Sequence, residues 1–175
     1  MRPGTTIYVI RHGETDWNRE GRWQGHAPTP LNATGRAQAR ALADRLAGEE
    51  LTAVYSSDLP RALETAEIVA ASRGKEVVAD AGLREIDVGS RQGRTSAELD
   101  GLPWDGESYE AHSERVLAAV LGIARRHPTG RVLAVTHGGS LRRLQEIVLG
   151  APLDVLDNCA IWRVALRGDT FTPLD

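Results

Sequence analysis

Three short clusters carry residues able to do chemistry. They are Arg11-His12-Gly13, Ser56-Ser57-Asp58 with Arg61 in the next helical turn, and Thr136-His137-Gly138-Gly139. Each closes an apolar run, in TTIYVI at 5–10, LTAVYSS at 51–57 and RVLAVTH at 131–137. Two arginines and two histidines suit an oxyanion. Guanidinium groups grip a phosphate dianion through charge-assisted, bidentate hydrogen bonds. Gly13, Gly138 and Gly139 let backbone approach a ligand closely. A helix expected to start near Ser140 would aim its positive end at the same spot. Neutral imidazole is a good nucleophile toward phosphorus and titrates near neutral pH. A phosphoryl transfer also needs an acid for the leaving oxygen. LREID at 83–87 offers Glu85 and Asp87, and spacing alone does not choose between them.

These residues lie far apart in the chain, so a fold must collect them. Strand signals fall at 5–10, 51–57, 75–80 and 131–137. Helical spacing of apolar residues falls at 34–47, where Gly48 is a stop, and at 60–74, where Pro60 suits the first turn and Gly74 the end. It recurs at 108–127, with Val116, Val120, Ile123 and Ala124 inward, and at 140–150, with Leu141, Leu144 and Val148 inward. AIWRVAL and TFTPL read as a closing hairpin around Arg167-Gly168-Asp169. This alternation predicts an α/β sandwich around a mostly parallel sheet. In such sheets ligands sit beyond the carboxyl ends of the strands, where all three clusters fall.

Composition bounds the reading. A chain of 175 residues with no repeat or long linker is expected to form one domain, 1–175. A net charge of -3 gives no bulk case for nucleic acid or an anionic membrane as partner. Cys159 is the only cysteine, so an internal disulfide and every two-cysteine metal motif are excluded. MRPGTTIYVIRHG holds too short an apolar run for a signal peptide, and no stretch approaches a membrane span. A cytoplasmic protein is expected.

RHGETDWN, GRWQGHAPTPLNATGRAQARALADRLA, YSSDLPRALETAEIVA, LREID and VTHGGSLRRL occur in that order. With them the chain resembles the histidine phosphatase superfamily, in its phosphoglycerate-mutase-like branch. The resemblance implies a phosphoglycerate-mutase-like three-layer α/β/α sandwich. It implies that His12 is the nucleophile and becomes phosphohistidine. It makes Arg11, Arg61 and His137 the clamp on the phosphoryl oxygens, and Glu85 the proton donor. It places Asn18, Gln24, Gly25 and Gly138 against the substrate. It implies no metal and no cofactor.

Within that branch, mutases carry a long insertion between the LRE block and the second histidine block. Here the connection is short, and the lysine and arginine cluster with which mutases hold a carboxylate is not recognisable. An open site lets water reach phosphohistidine, so a phosphatase acting on small-molecule phosphomonoesters is expected, and the short cap would suit a bulky substrate or a broad range. The alternatives are a cofactor-dependent phosphoglycerate mutase and a non-catalytic relative that binds phosphorylated ligands. The latter is disfavoured because both His12 and Glu85 are present. VGSRQG at 88–93 stands where the family has an aromatic and an acid, and Pro28 where it often has Asp, which leaves the substrate open. Sugar phosphates, nucleotide-pathway or cobalamin-pathway phosphomonoesters and phosphohistidine on a protein are candidates. Rival chemistries fail on missing residues. No G-x-S-x-G, H-E-x-x-H or G-x-x-x-x-G-K-[ST] occurs.

The other candidate residues get plainer readings. His112 and His127 are expected to be solvated, and His26 to line the mouth of the site. Trp17, Trp23, Trp104 and Tyr109 are candidates for a pocket wall or for core and rim packing. Arg142-Arg143 is expected on a solvated helix face.

Overall fold

A computed structural model describes residues 4–174; Met1, Arg2, Pro3 and Asp175 of the expected domain lie outside the described residues. Six strands form one sheet in the order β3-β2-β4-β1-β5-β6. They are β1 (Thr5–Arg11), β2 (Ala53–Ser56), β3 (Val77–Ala79), β4 (Arg131–Thr136), β5 (Ile161–Arg167) and β6 (Thr170–Leu174). The first four named in chain order run parallel, and β5 and β6 form the antiparallel hairpin at one edge. Gly168, at φ 60°, makes the hairpin turn without the clash a side chain would bring. Helices α1 (Asp16–Arg19), α2 (Ala33–Arg45), α3 (Pro60–Ala71), α4 (Tyr109–Arg126) and α5 (Gly138–Leu149) complete the chain with short 3-10 turns.

The strands explain the layers. Successive residues of a strand point to opposite faces. Ile7 and Val9 of β1 join Val132 and Ala134 of β4 in one core, closed by Val116, Val120 and Ile123 of α4 and by Leu141 and Leu144 of α5. Tyr8, Ile10, Leu133 and Val135 face the other way, against Leu42 of α2 and Ala62, Ala66 and Val69 of α3. Both faces are covered, so the strands read as continuous apolar runs. This is the expected α/β sandwich.

The register then aligns the chemistry. β2, β4 and β1 are neighbours, with Ser56 beside Val135 and Arg11 beside Thr136. The residues after these positions leave the sheet along one edge. Gly13 meets Gly35 of α2 back to back there, because a Cβ on Gly13 would lie 2.5 Å from the Gly35 carbonyl oxygen. Two glycines thus let the loop after β1 press onto the start of α2.

Candidate active site

His12 is fully enclosed, at 2% exposure. Its Nδ1 lies 2.7 Å from the carbonyl oxygen of Gly13. A carbonyl only accepts, so Nδ1 carries the proton and Nε2 keeps its lone pair. Arg61 reaches that lone pair with its Nε, 3.2 Å away. The backbone behind His12 is held by a loop from the far end of the chain. Asn158 Nδ2 donates to the His12 carbonyl at 2.9 Å, and the Cys159 amide donates to the Arg11 carbonyl at 2.9 Å. Cys159 adopts φ 58° to do so, a left-handed conformation that costs a non-glycine residue roughly 1–2 kcal/mol.

Arg61 comes from the first turn of α3, which Pro60 opens at its first position. It does not pair with Glu64, which binds Arg36 instead. Its guanidinium donates to the carbonyls of Gly25 (2.7 Å) and Ala27 (2.9 Å) and to Thr29 Oγ1 (3.3 Å). Burial brings its pKa down to about 10, so it stays charged at neutral pH. His137 lies edge-on to His12, with ring centroids 5.1 Å apart. Its Nε2 is 2.8 Å from Ser57 Oγ, while its Nδ1 is buried with no partner. Arg11 bonds the Leu156 carbonyl through one terminal nitrogen, and its Nε is likewise buried and unpartnered. Unpartnered buried polar atoms are costly; a phosphoryl oxygen would accept from Arg11 Nε, and from His137 in the tautomer with its proton on Nδ1.

Glu85, not Asp87, faces the cleft. Asp87 turns away to accept from the Gly89 amide at 2.9 Å. The Glu85 carboxylate accepts from the Gly139 amide at 2.8 Å and the Ile86 amide at 3.0 Å, so it sits on the positive end of α5. That helix begins at Gly138, two residues before the expected start. The Glu85 carbonyl is braced by His26 Nε2 at 2.8 Å and Arg115 at 3.1 Å. His26 therefore sets the acid's backbone, and Arg84 pairs with Asp58 rather than with Glu85.

These groups share a cleft of about 330 Å³. Arg11, His12, Arg61, Glu85 and Gly138 lie along it, as do Asn18, Gln24 and Gly25. His137 is not among the lining residues, but its ring lies edge-on beside that of His12. The Asn18 side-chain oxygen is tied to the Thr15 amide at 3.1 Å, and the Gln24 oxygen to Thr15 and Thr29 hydroxyls at 2.8 and 2.6 Å. The outer wall is formed by Trp23, Trp104 and Tyr109 with Val88 and Val155. Trp104 and Tyr109 stack at 5.2 Å, and Arg91 lies over Trp104 at 5.3 Å. Trp17 is not part of this wall; its ring packs beside Gly93.

Three expectations are corrected here. His112 is buried at 2% exposure and bonded to Ser140, because it falls on the inward stripe of α4. His127 is half-buried, with its ring against Tyr55 and its Nε2 3.1 Å from the tyrosine hydroxyl. Arg142 is half-exposed but lines the cleft, with its Nε 3.8 Å from Glu146 Oε1, while Arg143 reaches Ser113 at 2.6 Å. Asn158 was not singled out by the sequence at all.

Burial, with the neighbouring Arg61, holds both His12 and His137 well below the usual histidine range. Both are therefore neutral in the folded state where an unfolded chain would bind protons. Stability is present in full above about pH 6.5 and is lost on acidification, with a limiting slope of about 1.4 kcal/mol per pH unit for each histidine. Urea unfolding is expected to lose about 1 kcal/mol for each of these histidines between about pH 6.5 and 5.5, and His137→Gln to remove one histidine's share. A flat wild-type profile over that interval would contradict buried neutral histidines.

A model of the histidine phosphatase superfamily (branch 1) matches residues 7–174. Phosphoglycerate mutase-like protein 4 of Arabidopsis thaliana is 42% identical over 159 residues, covering 80% of this chain and 69% of the relative. Among solved structures, a mycobacterial glucosyl-3-phosphoglycerate phosphatase complexed with VO3 superposes with TM-score 0.87 at 28% identity, over 96% of each chain. A phosphoserine phosphatase from Entamoeba histolytica, solved with phosphoserine, gives TM-score 0.86 at 28% identity, over 98% of this chain and 95% of that one. Among the described residues no helix is long and apolar enough to cross a membrane, and no three His, Cys, Asp or Glu side chains are grouped as metal ligands. The match spans nearly the whole fold and includes every strand end that feeds the cleft, so the chain belongs to the histidine phosphatase superfamily, branch 1.

Proposed function

We propose that the protein is a metal-independent phosphatase that hydrolyses phosphomonoesters through a phosphohistidine on His12, with Glu85 as proton donor. The observation that carries this reading is the His12 ring. Its Nδ1 is committed to the Gly13 carbonyl, so Nε2 carries the lone pair, which Arg61 Nε–H holds at 3.2 Å and yields when Nε2 attacks phosphorus. In the first step Nε2 bonds to phosphorus, the ester P–O bond breaks, and the leaving oxygen takes the proton of Glu85. In the second step water bonds to phosphorus, the P–N bond breaks, and Glu85 takes the water's proton. Arg11, Arg61 and His137 hold the phosphoryl oxygens throughout. Their fixed charge and dipoles serve the developing negative charge, the role a metal serves in other phosphoryl transfers.

The outer cleft supports hydrolysis of a bulky leaving group. Its wall sets Trp23, Trp104, Tyr109, Val88 and Val155 beside Arg22 and Arg142, which suits a leaving group with an apolar body and an acceptor of its own. Arg142 lines this cleft and pairs only loosely with Glu146, at 3.8 Å, so its guanidinium is within reach of a further acceptor on the substrate. The partner we propose is a small-molecule phosphomonoester, and the location the cytoplasm. The test is phosphate release in EDTA from p-nitrophenyl and naphthyl phosphates, beside release and isomerisation of 3-phosphoglycerate. Hydrolysis of the aryl esters, unchanged by EDTA, is expected. Isomerisation of 3-phosphoglycerate faster than any hydrolysis would replace this reading with a mutase.

A further inference from the structure

Buried side chains outside the phosphoryl clamp include one polar chain that ends on the acid. His112 lies in the first turn of α4, and its Nε2 is 2.8 Å from Ser140 Oγ. Ser140 lies in the first turn of α5 and is fully buried. Its hydroxyl has two further acceptors in reach, the Arg84 carbonyl at 3.0 Å and Glu85 Oε1 at 3.2 Å. His112 itself stops 3.9 Å short of the carboxylate. The contact to Glu85 therefore runs through Ser140.

The donors on Glu85 differ in kind. The Gly139 and Ile86 amides are fixed by the backbone and donate whatever the state of the carboxyl. Ser140 alone can turn. A hydroxyl carries one proton and two lone pairs. With His112 Nε2–H occupying one lone pair, the hydroxyl proton is free to point either at Glu85 or at the Arg84 carbonyl. A carboxylate takes up that donor, whereas a carboxylic acid is a weaker acceptor and releases it. The Arg84 carbonyl and the Glu85 carboxylate only accept, so the single hydroxyl proton goes to one of them and the tautomer with the proton on His112 Nε2 is the one that satisfies Ser140.

We propose that His112 is a positioning residue for the reaction: through Ser140 it holds a hydroxyl donor that swings onto the Glu85 carboxylate and away from the Glu85 acid as the two steps alternate. No bond is made or broken in the swing. The proposal rests on the reading of Glu85 as acid and base, and it assigns to His112 a place that the phosphoryl clamp does not use. His112→Phe keeps the ring's bulk and removes the donor. Ser140→Ala removes the rotor and leaves His112 in place.

The readout is leaving-group dependence. A good leaving group such as p-nitrophenolate departs with little help from an acid, and an alkoxide does not. General acids contribute roughly 10²–10⁴ in rate, and a misplaced one loses part of that. In His112→Phe, kcat/KM for glycerol phosphate is expected to fall about ten-fold, and that for p-nitrophenyl phosphate by no more than about two-fold. His112→Gln, whose amide can donate, should recover most of the loss. The His112→Phe/Ser140→Ala double variant should cost no more than Ser140→Ala alone, since the two act in series. Equal losses on both substrates, or losses that add in the double variant, would overturn the proposal. Glu85→Gln runs beside them as the reference. Selectivity in Glu85→Gln without selectivity in His112→Phe and Ser140→Ala removes only the role given to His112. Its absence in Glu85→Gln removes the acid itself.

Discussion

His12→Ala is expected to lower kcat for p-nitrophenyl phosphate by on the order of 10⁴–10⁶ while leaving the cleft able to bind phosphate. The reasoning starts from what the variant keeps. Arg61 retains its bonds to the Gly25 and Ala27 carbonyls, and Arg11 retains its bond to Leu156. The anion clamp therefore survives, and substrate affinity should change by less than about ten-fold. What is lost is the covalent route, so water must attack the ester directly without the intermediate that splits the barrier. Rapid acid- and base-quench of the wild type during turnover should trap phosphate on His12 as a bond stable to base and labile to acid. The alanine variant should trap none. Retention of more than about 1% of wild-type kcat would place the nucleophile elsewhere, since losing a nucleophile costs far more than that.

Much of this site is legible in the residues alone, and the parts that are not have physical causes. β1 and β4 are apolar through Ile7–Ile10 and Val132–Val135 because both faces are covered there, and their ends lead into Arg-His-Gly and His-Gly-Gly. That is enough to bring His12 and His137 together. His112 is different. It sits four residues before Val116 and eight before Val120, on the same stripe, so helical spacing already puts it inside. The general preference of histidine for exposed sites points the other way, and packing overrides it because Ser140 supplies a partner. Glu85 and Asp87 were indistinguishable by spacing. The chain there is irregular, and its direction is set by Asp87 capping Gly89, which itself needs φ 53°. Asn158 could not have been found. Its contact with His12 spans 146 residues and comes from a loop with no periodic signal.

Arg61→Lys should cost both activity and stability, and the two losses have separable origins. Arg61 is 1% exposed and bonds no carboxylate; carbonyls and a hydroxyl hold its charge. A lysine keeps the charge but offers one compact ammonium in place of a planar fork, so it cannot serve Gly25, Ala27 and the His12 ring together. Each buried carbonyl left unpaired costs about 1–3 kcal/mol, so urea unfolding should show a loss of about 2–4 kcal/mol. At the cleft, losing a preorganised donor should lower kcat/KM by about 10²–10³. Arg61→Met separates the two. It also orphans the carbonyls, but it removes the buried charge, whose desolvation no longer opposes folding. The methionine variant is therefore expected to be at least as stable as the lysine variant and still less active. If Arg61→Lys kept kcat/KM within about ten-fold of wild type, the forked geometry would not be what binds the phosphoryl group. Charge alone would then account for the clamp.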